Sequence, residues 1–333
     1  MSRLDERLAA WFRRGRAELG LRSGRSARER ARLDGSRAAV LMYHRVLPRA
    51  RARELAVEAG MYVTPESFAR QLDWLQSEFR VLPLHEVAAR LRADEPLPPR
   101  ACAISFDDGW RDNAEHAAPA LAARGLPATV FLVSRRVGTQ GAFWPDEVAR
   151  RLAALPPREA ADVAKALGAA PGPAAAALVA HWKALRDAER EDALDELREL
   201  TPRVGVRETR ELLDWSEIDA LARAGIDFES HGASHALLTQ LPSELAAREL
   251  EESLQALRAR GLARHALLAY PNGAHDPGVR KLAKQAGYAA AFTTARGLAC
   301  ADHDRFELPR LGLHEDISAS RAEFLRAVPG RAL

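Results

Sequence analysis

Ala103-Ile104-Ser105-Phe106-Asp107-Asp108-Gly109-Trp110 is an apolar run that stops at two adjacent carboxylates. Such a run reads as a buried strand delivering acids to a loop at its C-terminal edge. Gly109 permits the tight turn, and a buried strand does not hold unpaired carboxylates. That edge is where α/β enzymes keep their chemistry. Asp-Asp-Gly is also an ordinary turn with a helix cap, Trp110 onward being helical, and on these residues alone that reading stands level with the first.

A second stretch decides between them. Ile226-Asp227-Phe228-Glu229-Ser230-His231-Gly232-Ala233-Ser234-His235 is again a short strand-like run ending in polar residues, now with two histidines four apart. If the segment makes a helical turn, the two rings converge on one metal ion, and with one Asp they form a facial set. A lone histidine is more often a satisfied surface or core residue. A His-x-x-x-His pair at one strand end, in a chain with Asp-Asp-Gly at another, favours a metal site.

The same pattern repeats outward from these two points. Ala38-Ala39-Val40-Leu41-Met42-Tyr43-His44 is continuously apolar up to a polar end, as expected of a barrel strand covered on both faces. Thr64-Pro65 reads as an N-cap and first-turn proline, with Phe68, Leu72 and Leu75 at helical spacing behind it. Short strands are expected at 79–82, 128–133, 266–270, 289–294 and 308–314, with helices between, including one opened by Asp276-Pro277. Strand and helix in alternation imply a parallel sheet with right-handed crossovers. From about 147 to 210 the composition shifts to Ala, Leu, Glu and Arg broken by Pro156-Pro157 and Pro171-Gly172-Pro173, which reads as a helical insertion. Trp144 and Trp182 are candidates there for a sugar-stacking surface or for simple packing.

Ser105-Phe106-Asp107-Asp108-Gly109 resembles the first motif of the polysaccharide deacetylases, carbohydrate esterase family 4, where Thr-Phe-Asp-Asp-Gly is usual. His231 to His235 resembles the second motif, with Gly232 where a hydroxyl residue is usual. Ala269-Tyr270-Pro271-Asn272-Gly273 resembles a divergent third motif, normally Arg-x-Pro-Tyr. The resemblance spans roughly 38 to 313. It implies a deformed (β/α) barrel of the NodB-homology type, an α/β fold of about seven parallel strands, here over 38–330 and carrying the insertion. It also implies a metal-dependent hydrolase that removes an N-acetyl group from an amino sugar of a glycan or glycan precursor. On that basis Asp108, His231 and His235 hold a divalent ion, zinc first, with cobalt, nickel or iron also compatible with the donor set. Asp107 is then the general base. His44, Tyr270, Pro271 and Asn272 are expected near the substrate, with a backbone N–H by Asn272 serving the oxyanion.

Two departures from the family pattern need substitutes. Ala269 stands where the family has an arginine that orients the base, and a buried base needs a cationic neighbour to stay ionised. Arg310, near the end of the last expected strand, is the candidate. The family's general-acid histidine lies in a late Leu-His motif that Leu313-His314 matches only superficially. His314 is entered as the catalytic candidate and His44 as its rival.

Composition narrows the alternatives. The chain of 333 residues suits one large barrel, and a net charge of +3 excludes a broadly basic nucleic-acid binder. Cys102 and Cys300 read as free thiols, not as a disulfide framework. Residues 1–37 form a basic helical extension in which Leu4, Leu8, Trp11, Phe12 and Leu19 lie near one face. It suits an interfacial helix on anionic lipid, and equally a solvated helix packing on the barrel. With no apolar leader at its start and no membrane span, the chain is expected in the cytoplasm, with peripheral contact at the inner membrane face. A deformylase or O-acetyl esterase using the same site, or a non-catalytic glycan-binding barrel, are the competing functions. Release of acetate against formate separates the enzyme readings.

Overall fold

The computed structural model describes residues 12–20, 23, 32–141, 143–202, 204 and 209–328. Most of the basic extension, residues 1–11, 21–22 and 24–31, therefore lies outside the described residues, while 12–20 are helical. Among the described residues, seven parallel strands close into a barrel. They are β1 (Arg37–Tyr43), β2 (Ala101–Phe106), β3 (Thr129–Leu132), β4 (Asp227–Ser230), β5 (Leu267–Ala269), β6 (Ala290–Arg296) and β7 (Leu308–Gly312). Each pairs with the next, and β7 returns to β1 through Leu41 opposite Leu311. Closure leaves no free edge among these seven, and the two-residue strands Arg80–Val81 and Ala299–Cys300 pair with the starts of β2 and β1.

Side-chain alternation sorts the strand residues into two cores. Ala38 and Val40 of β1, Ala101 and Ala103 of β2, Phe131, Leu267, Ala269, Phe292 and Leu308 share the barrel interior. Their neighbours Ala39, Leu41, Tyr43, Cys102, Ile104, Phe106, Val130 and Leu268 pack outward against the surrounding helices. Small interior residues leave room at the barrel axis for the aromatic rings of Phe131 and Phe292. Leu84, Val87, Ala88 and Leu91 of the helix Leu84–Ala93 join the interior cluster and plug the N-terminal mouth. No described helix is long and apolar enough to cross a membrane.

The helical caps follow the sequence closely. Thr64 accepts from the Ser67 N–H with Pro65 at the first turn, and Asp276 does the same for Val279 ahead of Pro277. Between β3 and β4 the helices Trp144–Ala153, Pro157–Ala166, Ala174–Trp182 and Asp187–Leu200 enclose a separate apolar cluster. Trp182 is 1% exposed inside that cluster and stands 6.3 Å from Trp144 by ring centroid, so it serves packing. The insertion is tied to the barrel by charge. Arg45, just past β1, lies between Asp112 and Glu211 at 2.8 and 3.0 Å, and Glu211 also takes Arg150 from the insertion at 2.5 Å. Arg45, Asp112 and Glu211 are all buried.

Candidate active site

The alternation that fills the barrel also aims the candidate site residues. On β2 the interior positions Ala101, Ala103 and Ser105 are followed in phase by Asp107. On β7 Leu308 is followed by Arg310. Parallel strands put both ends on one face, and there the guanidinium of Arg310 donates to the two Asp107 oxygens at 2.7 and 2.7 Å. Arg310 also donates through Nε to the Thr293 carbonyl at 3.0 Å. Both partners are buried, Arg310 at 0% and Asp107 at 2% exposure. Burial, the largest single influence, would push the Asp107 carboxyl up, but the charge and hydrogen bonds of Arg310 together with the nearby His231 and His44 hold the group below the usual carboxylate value.

Asp108 turns the other way. It sits at φ 77°, a left-handed conformation unusual for a residue with a Cβ. Trp110 Nε1–H donates to its Oδ2 at 2.8 Å, which leaves Oδ1 facing His231 Nε2 and His235 Nε2, each at 3.4 Å. The Trp110 ring is itself held under the Arg45 guanidinium at 3.9 Å. Gly109 follows at φ 76°, where a Cβ would meet Leu132 Cδ2 at 2.7 Å, so both conformation and space require glycine.

The two histidines converge by a route that differs from the sequence expectation. Residues 231–235 form a loop, not a helical turn, with Gly232 at φ 79° and His235 at φ 73°. Gly232 accounts for the missing hydroxyl residue, since glycine enters that conformation freely. Glu249, on the helix Ser243–Arg258, accepts from the Ala233 and Ser234 N–H groups at 3.1 and 2.8 Å and so fixes the loop. His231 Nδ1–H donates to the Ala269 carbonyl at 2.7 Å, which orients the ring with Nε2, the atom left to ligate when the imidazole is neutral, aimed at Asp108. Asp108, His231 and His235 form a set whose donor atoms lie within 4.8 Å of one another. A donor separation near 3.4 Å is what tetrahedral coordination at about 2.1 Å calls for, so the residues fit a zinc-type ion.

These groups open into a cavity of about 290 Å³ whose lining also includes His44, Asn272, Trp144, Asp146, Lys183 and Arg190. Trp144 through Arg190 come from the insertion, which therefore forms one wall of the site. A neighbouring cavity of about 540 Å³ shares Trp144, Arg190 and His235, and adds Arg136, Arg150 and Arg198 to its lining. Asn272 sits at φ 53°, a conformation asparagine tolerates better than most residues.

Other expected site residues lie elsewhere. Tyr270 is fully buried, with its ring stacked on His275 at 5.3 Å, and is absent from the cavity wall. Its position one step past the interior Ala269 turns it outward into the helical layer. Pro271 is buried as well and packs beneath Gly232, a support for the metal loop instead of a contact for substrate. His314 caps the short helix Glu315–Ser318, its Nδ1 3.9 Å from Asp316, and does not line the cavity. Glu249 and the Arg45–Asp112–Glu211 cluster went unnoticed in the sequence because charged residues in helices and loops read as solvated.

Comparison with known proteins agrees with this architecture. The family model "Polysaccharide deacetylase" matches residues 94–291. A curated relative, the putative polysaccharide deacetylase YxkH of Bacillus subtilis (strain 168), is 20% identical over 282 residues, 84% of this chain and 73% of that one. Among solved structures, the Streptococcus pyogenes deacetylase PplD in complex with acetate superposes with a TM-score of 0.59 at 18% identity, covering 88% of this chain and 98% of that one. IcaB from Ammonifex degensii gives 0.57 at 19% identity, with the same coverage of 88% and 98%. With the family model spanning more than half its length and a closed seven-stranded barrel presenting the Asp107-Asp108 and His231–His235 stretches at one rim, the chain belongs to the polysaccharide deacetylase family.

Proposed function

We propose that the protein hydrolyses the N-acetyl group of an amino sugar in a glycan or glycan precursor, with Asp107 as general base and a zinc ion held by Asp108, His231 and His235. The observation that carries the reading is the buried, bidentate Arg310–Asp107 pair set beside the three converging donor atoms. A bound zinc ion would polarise the acetyl carbonyl and lower the pKa of water there. Asp107 takes the proton from the attacking water, and Arg310 keeps it ionised and oriented for that transfer. The backbone by Asn272, at the cavity wall, is the candidate donor to the oxyanion, an interaction worth roughly 3–4 kcal/mol in other hydrolases. As the carbon–nitrogen bond breaks, the amine leaving group needs a proton. His44 faces the same cavity and is the better placed donor, whereas His314 does not line it.

Acetate release tests the proposal. Zinc-loaded protein and its Asp107→Asn variant are compared on N-acetylglucosamine oligomers, nucleotide-linked N-acetyl sugars and lipid-linked sugars. Acetate from one class, abolished in the variant, supports the reaction and the base. Absence of acetate from every class, with zinc bound, sinks the N-acetyl reading.

The N-terminal segment adds a peripheral lipid contact to this proposal. Phe12 and Leu19, in the described helical stretch, are 61% and 69% exposed among arginines, a combination suited to an anionic surface. Pelleting with anionic liposomes that persists after deletion of residues 1–36 argues against it.

A further inference from the structure

The barrel carries a second set of metal-donor residues at its opposite end. Asp227 is the first residue of β4, so it stands at the N-terminal mouth, while His231 follows that strand at the catalytic rim. Beside Asp227 are His85, from the first turn of the plug helix Leu84–Ala93, and His265, from the loop that enters β5. His85 Nδ1 lies 3.0 Å from Asp227 Oδ2, and the His85 and His265 rings stack at 3.7 Å with planes 8° apart. One ligand atom from each of the three lies within 4.8 Å of the others, as is also true of the set at the catalytic rim. All three are half-buried, so an ion could enter and keep a water.

The position of His265 is fixed from beneath. Glu229, 1% exposed inside the barrel, accepts from the His265 N–H at 3.0 Å and from the Leu267 N–H at 2.7 Å. A buried carboxylate that clamps the backbone of one donor gives the cluster a support that a chance surface grouping lacks. The geometry points to a structural site for a borderline divalent cation of the zinc class, bound by His85, Asp227 and His265 with water completing the shell. The near-parallel rings need only tilt open toward the third corner to bring both nitrogens onto one ion. Such an ion would pin the plug helix to β4 and to the loop before β5, and its site is separate from the one that does the chemistry.

Zinc stoichiometry and thermal unfolding test this on the whole chain. Wild type, dialysed against micromolar zinc, should retain about two ions per chain, and His231→Ala about one. Adding His85→Ala and His265→Ala to His231→Ala should remove the remaining ion and the zinc-dependent rise in Tm. Asp227→Asn in the His231→Ala background is the second variant, for use if the double histidine change unfolds the protein, and should weaken zinc binding at least tenfold. The site is overturned if His231→Ala retains no zinc, or if its remaining ion survives either set of changes. A His85–Asp227 hydrogen bond with a stacked neighbour would then be the whole content of the cluster.

Discussion

Arg310 and Asp107 meet through two parallel hydrogen bonds of 2.7 Å, although 203 residues separate them in the chain and both are sealed from solvent. Removing one partner of such a pair leaves a buried charge without compensation, at a cost of about 3–5 kcal/mol. Arg310→Met is therefore expected to lose most of the rate while keeping the zinc ion, and to unfold at a lower temperature. Kinetics, metal content and Tm measured on one sample check this, and wild-type turnover would rule out the orienting role.

The pair also sets a pH dependence. Burial raises Asp107, and Arg310 with His231 and His44 together more than reverse it, so in the wild type the pair's stabilisation is present at neutral pH and is lost as pH falls through the depressed carboxyl value. In Arg310→Met the raising effect of burial is opposed only by the weaker pull of His231 and His44. The stability deficit of the variant should thus shrink toward acid pH, as Asp107 takes up a proton. Denaturant titrations of both proteins at pH 4 and pH 7.5 decide it, and an equal deficit at both contradicts the assignment.

Asp107→Asn preserves shape and removes the base. A loss of roughly 10²–10⁴ in kcat is expected for a lost general base, with zinc affinity nearly unchanged because Asp108, His231 and His235 are intact. Zinc loss equal to that of His231→Ala would instead make Asp107 a ligand.

Asp146 reports on the insertion wall. Burial pushes its carboxyl up to about 6, with Arg45 and Arg150 pulling down and Glu211 and Asp108 pushing further up. A folded-state value above the unfolded one means that this residue's stability contribution is full at acid pH and declines as pH rises through about 6. Asp146→Asn, in metal-free protein, should accordingly gain on the wild type between pH 4.5 and pH 7.5, by about 2 kcal/mol. A pH-independent difference would contradict the raised carboxyl of Asp146.

Arg45→Met tests the tie between barrel and insertion. It leaves Asp112 and Glu211 buried near one another and strips the cation from beneath Trp110. A destabilisation of about 3–5 kcal/mol is expected, with weaker zinc binding because Trp110 positions Asp108. Separate unfolding transitions for the insertion and the barrel would show that this cluster is what couples them.

Much of this was legible in the chain. Apolar runs at 38–43, 101–106 and 128–133 declare themselves as buried strands because burial on both faces removes every polar option. Asp107, Asp108, His231 and His235 stand out together, because a His-x-x-x-His pair at one strand end and Asp-Asp-Gly at another are a rarer coincidence than either alone. Arg310 could be named as a candidate, since Ala269 leaves the base without the family's arginine and a buried carboxylate needs a cationic neighbour. Tyr270 and His314 could not be placed, because whether a residue past a strand end faces the axis or the helices depends on where the last pleat falls. The sharp loop through Gly232 was likewise hidden, since a four-residue spacing fits a helical turn and a left-handed loop equally well.

The sequence by itself determined the local quantities: strand and helix identity, the caps at Thr64 and Asp276, and the residue types able to hold a metal or move a proton. These follow from short-range sterics and the periods of burial, which are written within a few residues. Only the tertiary structure decided which groups meet. Closure of β7 onto β1 carries Arg310 to Asp107, the parallel pairing of β2, β3 and β4 aligns Asp108 with His231 and His235, and the insertion brings Asp146 and Arg190 to the wall. Those contacts span tens to hundreds of residues, and their distances are set by barrel register and by packing across the interior.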